Sequence, residues 1–285
     1  MKGRWNAPFD DEKQDPSPCL SERFMSVWVL SFLAILLLCL PTVILPGKPP
    51  EPRPEAGPEI DASLRAIHWV MIAYCALWHR LKNNGWAPLP ESGGAILIAN
   101  HTCGIDHVLL QASSRRVLGF IIAREYYEWN LIHWFCWRVG CIPVNRDGRD
   151  LPAIRAALRA LQQGRVVPIF PEGRITPTSG RELGEMLPGA AYLALRAGVP
   201  VYPAYIRGTP ETNQIGPSLK TPSHSFVTFG PPIDLADLGP QDAGDKKAQA
   251  EVSRRFRAAL LDLQARSRNR SAYRYAGLSE PVPLD

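Results

Sequence analysis

The chain has 285 residues, 32 Lys+Arg against 27 Asp+Glu for a formal net charge of +5, and 46% hydrophobic residues with 28 Pro and 22 Gly. That is too apolar for a disordered chain and too aperiodic for a collagen-like one, and a small, scattered positive excess does not argue for a nucleic-acid partner. The six cysteines (Cys19, Cys39, Cys75, Cys103, Cys136 and Cys141) form no CxxC pair, so neither a disulfide framework nor a zinc site is expected. Reduced, structural thiols in a reducing compartment fit that usage.

Residues 1–23 form a polar tail with five acids and four bases, unlike the short basic start of a signal peptide. Residues 24–47, FMSVWVLSFLAILLLCLPTVILPG, carry no charge. About 22 helical residues at ~1.5 Å each give roughly 33 Å, enough to cross a ~30 Å hydrocarbon core, which predicts a retained transmembrane anchor. Residues 48–62 are read as a linker, since six prolines fall within residues 46–59 and make that stretch polar and semi-rigid. Residues 63–82 contain the 13-residue apolar run AIHWVMIAYCALW. It is too short to span comfortably and is predicted to lie in the membrane interface or to re-enter one leaflet. Lys and Arg number four before the first apolar segment and three after it, so the positive-inside rule leaves the orientation open.

Residues 83–285 alternate strand and helix patterns. Short apolar runs at 95–99 (AILIA), 117–123 (VLGFIIA), 141–144 (CIPV), 166–170 (VVPIF) and 199–206 predict strands covered on both faces. Residues 151–163 carry Leu151, Ile154, Ala157, Leu158 and Leu161 at helical spacing, and residues 189–197 form a second, small-residue helix ended by Gly198. Residues 225–229 (SFVTF) read as an edge strand. Together these predict an α/β domain with a largely parallel sheet flanked by helices. Residues 246–270 form a basic helix with Val252, Phe256, Leu260 and Leu263 on one face; pressing on anionic lipid and packing on the domain with a solvated basic face both fit it.

The chain has no G-x-S-x-G elbow, no P-loop, no G-x-G-x-x-G and no H-E-x-x-H, which disfavours the usual serine hydrolases, P-loop NTPases, dinucleotide enzymes and zincins. What stands out is Asn100-His101-Thr102-Cys103-Gly104-Ile105-Asp106, directly after AILIA, at the strand end where α/β sheets collect reactive groups. A five-residue spacing would put His101 and Asp106 about 140° apart on a continuous helix, so they meet only if the chain turns between them, with Gly104 allowing the turn. A carboxylate-held imidazole is a general base; a histidine bonded locally in a loop is the plain alternative. Phe170-Pro171-Glu172-Gly173-Arg174 brings a carboxylate, backbone N–H groups and an arginine to a second strand end, and Gly140-Cys141-Ile142-Pro143-Val144-Asn145-Arg146 brings Arg146 to a third. An exposed turn and a surface arginine are the plain readings of those two.

NHTCGID, GCIPVNR, FPEGRIT and GVPVYPAYI, in that order over roughly half the chain, resemble the glycerophospholipid acyltransferase family, best known for 1-acylglycerol-3-phosphate acyltransferase. The resemblance implies His101 as the base that deprotonates an acceptor hydroxyl and Asp106 as its orienting partner. It also implies Arg146, Glu172 and Gly173 as acceptor-binding residues, a role extended here to Arg174, and a site-shaping role for Pro200. It implies further a fatty acyl transfer from acyl-CoA or acyl-carrier protein, as co-substrate, to the hydroxyl of a lysophospholipid, with no metal and no other cofactor. The enzyme would be an integral membrane protein in contact with membrane lipids, its domain on the cytosolic face. Met186-Leu187-Pro188-Gly189 departs from the family's Phe-Lys-x-Gly, which leaves open another lysolipid acceptor or a remodelling transacylase. A lipase-like hydrolase and a non-catalytic membrane scaffold are the rivals from other classes. The aromatic stretch 126–137 could roof an acyl groove, pack in the core or form an interfacial belt.

Overall fold

Continuous apolar runs place the strands, and the strand ends place the site. The computed structural model describes residues 62–145 and 150–275, all within a unit that runs from Arg53 to Asp285. The predicted tail (1–23), transmembrane segment (24–47) and all of the linker but Ala62 lie outside the described residues, as does Arg146.

In chain order the elements are α1 (Ala62–Leu77), β1 (Lys82–Asn83), β2 (Ala95–Ala99), α2 (Asp106–Ala112), β3 (Ile121–Ala123), α3 (Arg124–Tyr127), α4 (Asn130–Val139), β4 (Ile142–Val144), α5 (Leu151–Gln162), β5 (Val166–Ile169), α6 (Pro188–Ala197), β6 (Val201–Arg207), α7 (Ile215–Lys220), β7 (Phe226–Phe229), a 3-10 turn (Pro240–Gly244) and α8 (Lys246–Tyr275). The main sheet has the order β1-β7-β6-β2-β5, and β3 pairs with β4 in a second, two-stranded sheet. All pairs are parallel except β6 with β7, so the sheet is largely parallel and flanked by helices, as expected.

β2 lies between β5 and β6 and is buried at every residue, which is why its sequence is uninterrupted rather than alternating. Its two faces feed two cores. Ile96 and Ile98 pack with α5, α6 and α8; Ala95, Leu97 and Ala99 pack with α1 and α2. Each fully buried Leu or Ile contributes about 1.5–3 kcal/mol of transfer free energy. α5 starts where the Asp150 carboxylate accepts the Ala153 N–H at 2.9 Å, an N-cap bond that supports Pro152 in the first turn. α6 stops at Gly198, in the left-handed region at φ +59°.

The structure corrects several boundaries. β7 is not an edge strand: the two-residue β1 covers it, and a run that short and exposed carries no hydrophobic pattern to predict it. Of the run 117–123 only Ile121–Ala123 is strand, because Gly119 lies against the Arg165 guanidinium and the Gly140 carbonyl, although Leu118 still bridges to Val166 in parallel. The aromatic stretch 126–137 is divided between α3 and α4. The helix predicted within 63–82 ends at Leu77. It buries Leu64 and Cys75 and leaves Trp69 and Leu77 exposed. Among the described residues no helix is long and apolar enough to cross a membrane. α8 packs its predicted apolar face, Val252, Phe256, Leu260 and Leu263, fully into the domain.

Candidate active site

Where β2 ends, the main chain leaves the sheet and one side chain takes its place. Asn100 Nδ2 donates to the Ile206 carbonyl at 2.8 Å, and Asn100 Oδ1 accepts the Ile206 N–H at 2.7 Å. The released loop turns back on itself before α2. Gly104 serves a close approach here: a Cβ at that position would lie 2.7 Å from the carbonyl carbon of Gln214. The turn brings His101 Nδ1 to 2.8 Å from Asp106 Oδ2.

Asp106 is wholly buried and is surrounded by donors. Its Oδ2 also accepts the N–H groups of Thr102 at 2.5 Å and Cys103 at 3.0 Å, while Oδ1 accepts the Thr102 hydroxyl at 2.5 Å and the Cys103 thiol at 3.4 Å. Thr102 Oγ1 in turn accepts from Thr209 Oγ1 at 2.9 Å. With every other neighbour donating to it, the carboxylate faces His101 as an acceptor, which places the ring proton on Nδ1. Nε2 of His101 is left as the ring's basic nitrogen, and the side chain keeps 21% of its surface open. The Phe170 ring stacks on the imidazole, centroids 4.2 Å apart and planes 11° from parallel, which fixes the ring plane.

Two neighbours are excluded from the same role. Burial pushes the His107 imidazole down to about 4; the Asp106 charge offsets this only in part, and the ring lies edge-on to Phe120. Burial pushes the Cys103 thiol well above its ordinary value, the adjacent Asp106 carboxylate raises it further, and the side chain is fully enclosed. A thiol in that setting is not an activated nucleophile.

Glu172 reaches the same loop from the end of β5. Its Oε1 accepts the His101 backbone N–H at 2.9 Å, and its Oε2 accepts the Gly184 N–H at 2.7 Å. It is 7% exposed, and burial raises its carboxyl above the ordinary value despite those two bonds. Gly173 sits at φ +69°, closing the turn in which its N–H reaches the Phe170 carbonyl at 2.9 Å, with Leu187 against its α-carbon. Arg174 is exposed and has no hydrogen-bond partner among the described residues. Residues 183–184 are themselves held from α8, where Arg257 Nη1 donates to the carbonyls of Leu183 at 3.1 Å and Gly184 at 2.8 Å. Leading towards Arg146, the Asn145 N–H donates to Asp150 Oδ2 at 2.7 Å and Asn145 Oδ1 accepts from Arg124 Nε at 2.7 Å.

The structure thus brings His101, Asp106, Glu172 and Gly173 together and leaves Arg174 at the surface nearby. Sequence reasoning did not single out the roles of Asn100, Thr102, Phe170 and Gly184. Asn100 and Thr102 lie inside the NHTCGID block and Phe170 opens FPEGR, so their positions were legible though their contacts were not. Gly184 had no local signal. Among the described residues no group of His, Cys, Asp and Glu could hold a metal ion.

Residues 80–207 match the family model described as Acyltransferase. The chain is 26% identical over 182 residues to the 1-acyl-sn-glycerol-3-phosphate acyltransferase of Salmonella typhimurium, covering 62% of this chain and 71% of that protein. It is 25% identical over 151 residues to the protein of the same name from Bacillus subtilis, covering 53% and 72%. The crystal structure of the 1-acyl-sn-glycerophosphate (LPA) acyltransferase from Thermotoga maritima shares the fold, with a TM-score of 0.55 at 20% identity over 71% of this chain and 82% of that one. The chain is an O-acyltransferase that matches the acyltransferase family over residues 80–207 and is similar to these 1-acyl-sn-glycerol-3-phosphate acyltransferases.

Proposed function

We propose that the protein moves a fatty acyl group from acyl-CoA or acyl-carrier protein to the free hydroxyl of a lysophospholipid, 1-acylglycerol-3-phosphate before others, giving phosphatidic acid. The observation that carries this reading is the 2.8 Å bond between His101 Nδ1 and a buried, donor-saturated Asp106. The acceptor hydroxyl gives its proton to His101 Nε2 as its oxygen attacks the thioester carbonyl. The tetrahedral adduct collapses with loss of the thiolate, which takes the proton back from the imidazolium. Asp106 fixes the tautomer and stabilises the charged ring. The step needs neither metal nor enzyme nucleophile, in keeping with the enclosed Cys103.

The phosphate of the acceptor pairs with Arg146 and Arg174, with Gly173 at the turn next to Arg174. Glu172 acts at the acceptor site through the loops it holds, since both its oxygens carry backbone bonds. Residues 24–47 anchor the protein in the membrane with the domain on the cytosolic face, where acyl thioesters are found. α1 lies against the lipid with the exposed Trp69 and Leu77, consistent with Trp at an interface. Leu187, at the position where the family carries a basic residue, favours a second reading in which the acceptor is a lysolipid other than lysophosphatidate.

Purified full-length protein in detergent, given labelled acyl-CoA or acyl-carrier protein with a panel of lysolipids, tests this. Wild type is expected to yield ester product, and His101→Ala to lose at least about 10²–10⁴-fold. Equal rates in the two proteins overturn the base assignment; free fatty acid in place of ester shows a hydrolase.

A further inference from the structure

Two cysteines flank the C-terminus of α4, where the chain turns into β4. Cys141 N donates to the Cys136 carbonyl at 2.7 Å and Gly140 N to the Trp137 carbonyl at 3.1 Å, with Gly140 at φ +70°. Those paired bonds define a Schellman cap, in which the side chains at the two positions joined by the outer bond, here 136 and 141, normally touch as apolar neighbours. In this chain both are cysteines.

The surroundings differ on the two sides. Cys136 is almost fully buried, whereas Cys141 is half-buried and borders a cavity of about 260 Å³ lined also by Tyr127, Trp137 and Arg165. Arg165 Nη2 donates to the carbonyls of Val139 and Gly140, both at 2.7 Å, which pins a positive charge over the turn. The two thiols are shifted in opposite directions: the neighbouring Cys141 draws the Cys136 thiol below its ordinary value, whereas Cys136 and burial hold the Cys141 thiol well above its own, which the Arg165 charge offsets only in part. Cys75 and Cys103, by contrast, are wholly enclosed.

We propose that the C-terminal cap of α4 is a thiol–disulfide modification site, in which Cys136 and Cys141 close reversibly to an intramolecular disulfide on exposure to a low-molecular-weight disulfide. Cys141, the more accessible of the two, gives up its thiol proton as its sulfur attacks one sulfur of the incoming disulfide, forming a mixed disulfide and releasing one small thiol. The Cys136 thiolate then attacks Sγ of Cys141 and releases the second small thiol. Two protein thiols are oxidised, one small disulfide is reduced to two thiols, and both protons leave with them. The 6→1 bond already holds the two residues within one turn, so closure asks little of the backbone. In a reducing compartment such a bond is a transient, exchangeable one.

The test uses reduced full-length protein in detergent, treated with oxidised glutathione, alkylated with iodoacetamide and digested with trypsin. Arg138 lies between the two cysteines, so cleavage there leaves peptides joined only by the disulfide. The expected result is that linked pair, the loss of two alkylatable thiols per chain, and their return with dithiothreitol. Cys136→Ser should trap a glutathione adduct on Cys141, and Cys141→Ser should leave Cys136 unmodified. Alkylation of both residues after treatment, a persistent glutathione adduct in wild type, or a link to any other cysteine would each overturn the proposal.

Discussion

The loop after β2 and the turn after β5 each bury one carboxylate at the same place, and they use it differently. Asp106 directs its charge at a side chain that can carry a proton, whereas Glu172 directs both oxygens at backbone N–H groups. One carboxylate sets the chemistry of His101; the other sets where His101 stands. Removing each should therefore fail in a distinguishable way.

The largest effect is expected at Asp106. Asp106→Asn places an amide donor among donors and leaves His101 with the wrong tautomer, so acyl transfer should fall by up to about 10⁴-fold, as in comparable dyads. Single-turnover rates check this, and a loss under tenfold would put the base elsewhere. Glu172→Ala comes next. It strands two backbone donors at about 1–3 kcal/mol each and shifts the His101 loop, so melting temperature and kcat should drop together, the rate by about 10²-fold. Glu172→Gln should restore part of both. If instead Glu172→Gln raised only the acceptor KM, with kcat and melting temperature unchanged, the contrast between the two carboxylates would break. Gly184→Ala is a gentler form of the same disturbance, because its Cβ would lie 2.6 Å from Glu172 Oε2 and force that carboxylate to move. A destabilisation of about 1–3 kcal/mol in denaturant unfolding is expected.

The smallest effect is a difference in pH response between two glutamates. Glu251 on α8 is drawn down to about 2 by its hydrogen bonds to Arg254 and Arg255. Its folded value lies below the unfolded one, so its contribution is present above about 4.5 and is lost as pH falls towards 2. Glu172 is shifted the other way by burial, so its contribution is present at low pH and is lost as pH rises through its folded value. Carboxyl NMR titration should find the two on opposite sides of the ordinary value, and finding them on the same side would refute the burial argument for Glu172.

How much of this was legible follows from where the information is stored. β2, β5 and α5 announced themselves because burial on both faces, or on one stripe, writes itself into local sequence. β1 did not, because Lys82 and Asn83 pair with β7 through backbone alone across more than 140 residues. The His101–Asp106 pairing could be proposed from a spacing of five and a glycine, although the glycine answers to the Gln214 backbone and not to the turn itself. The part played by α8 was hidden in a basic helix. Arg257 holds residues 183–184, Gly184 holds Glu172, and Glu172 holds His101, a series of contacts with no periodicity to read.

Asn100 has a consequence of a different kind. Its amide carries one donor and one acceptor in the spacing of a peptide group, and Ile206 pairs with it as it would with another strand residue. The sheet thus gains a counterfeit rung while the real backbone is already on its way to Asp106. Loop and sheet are uncoupled at that point: the loop can change its course without unzipping β2 from β6. The position also becomes intolerant of near-misses, since aspartate lacks the donor, leucine lacks both groups and glutamine reaches too far.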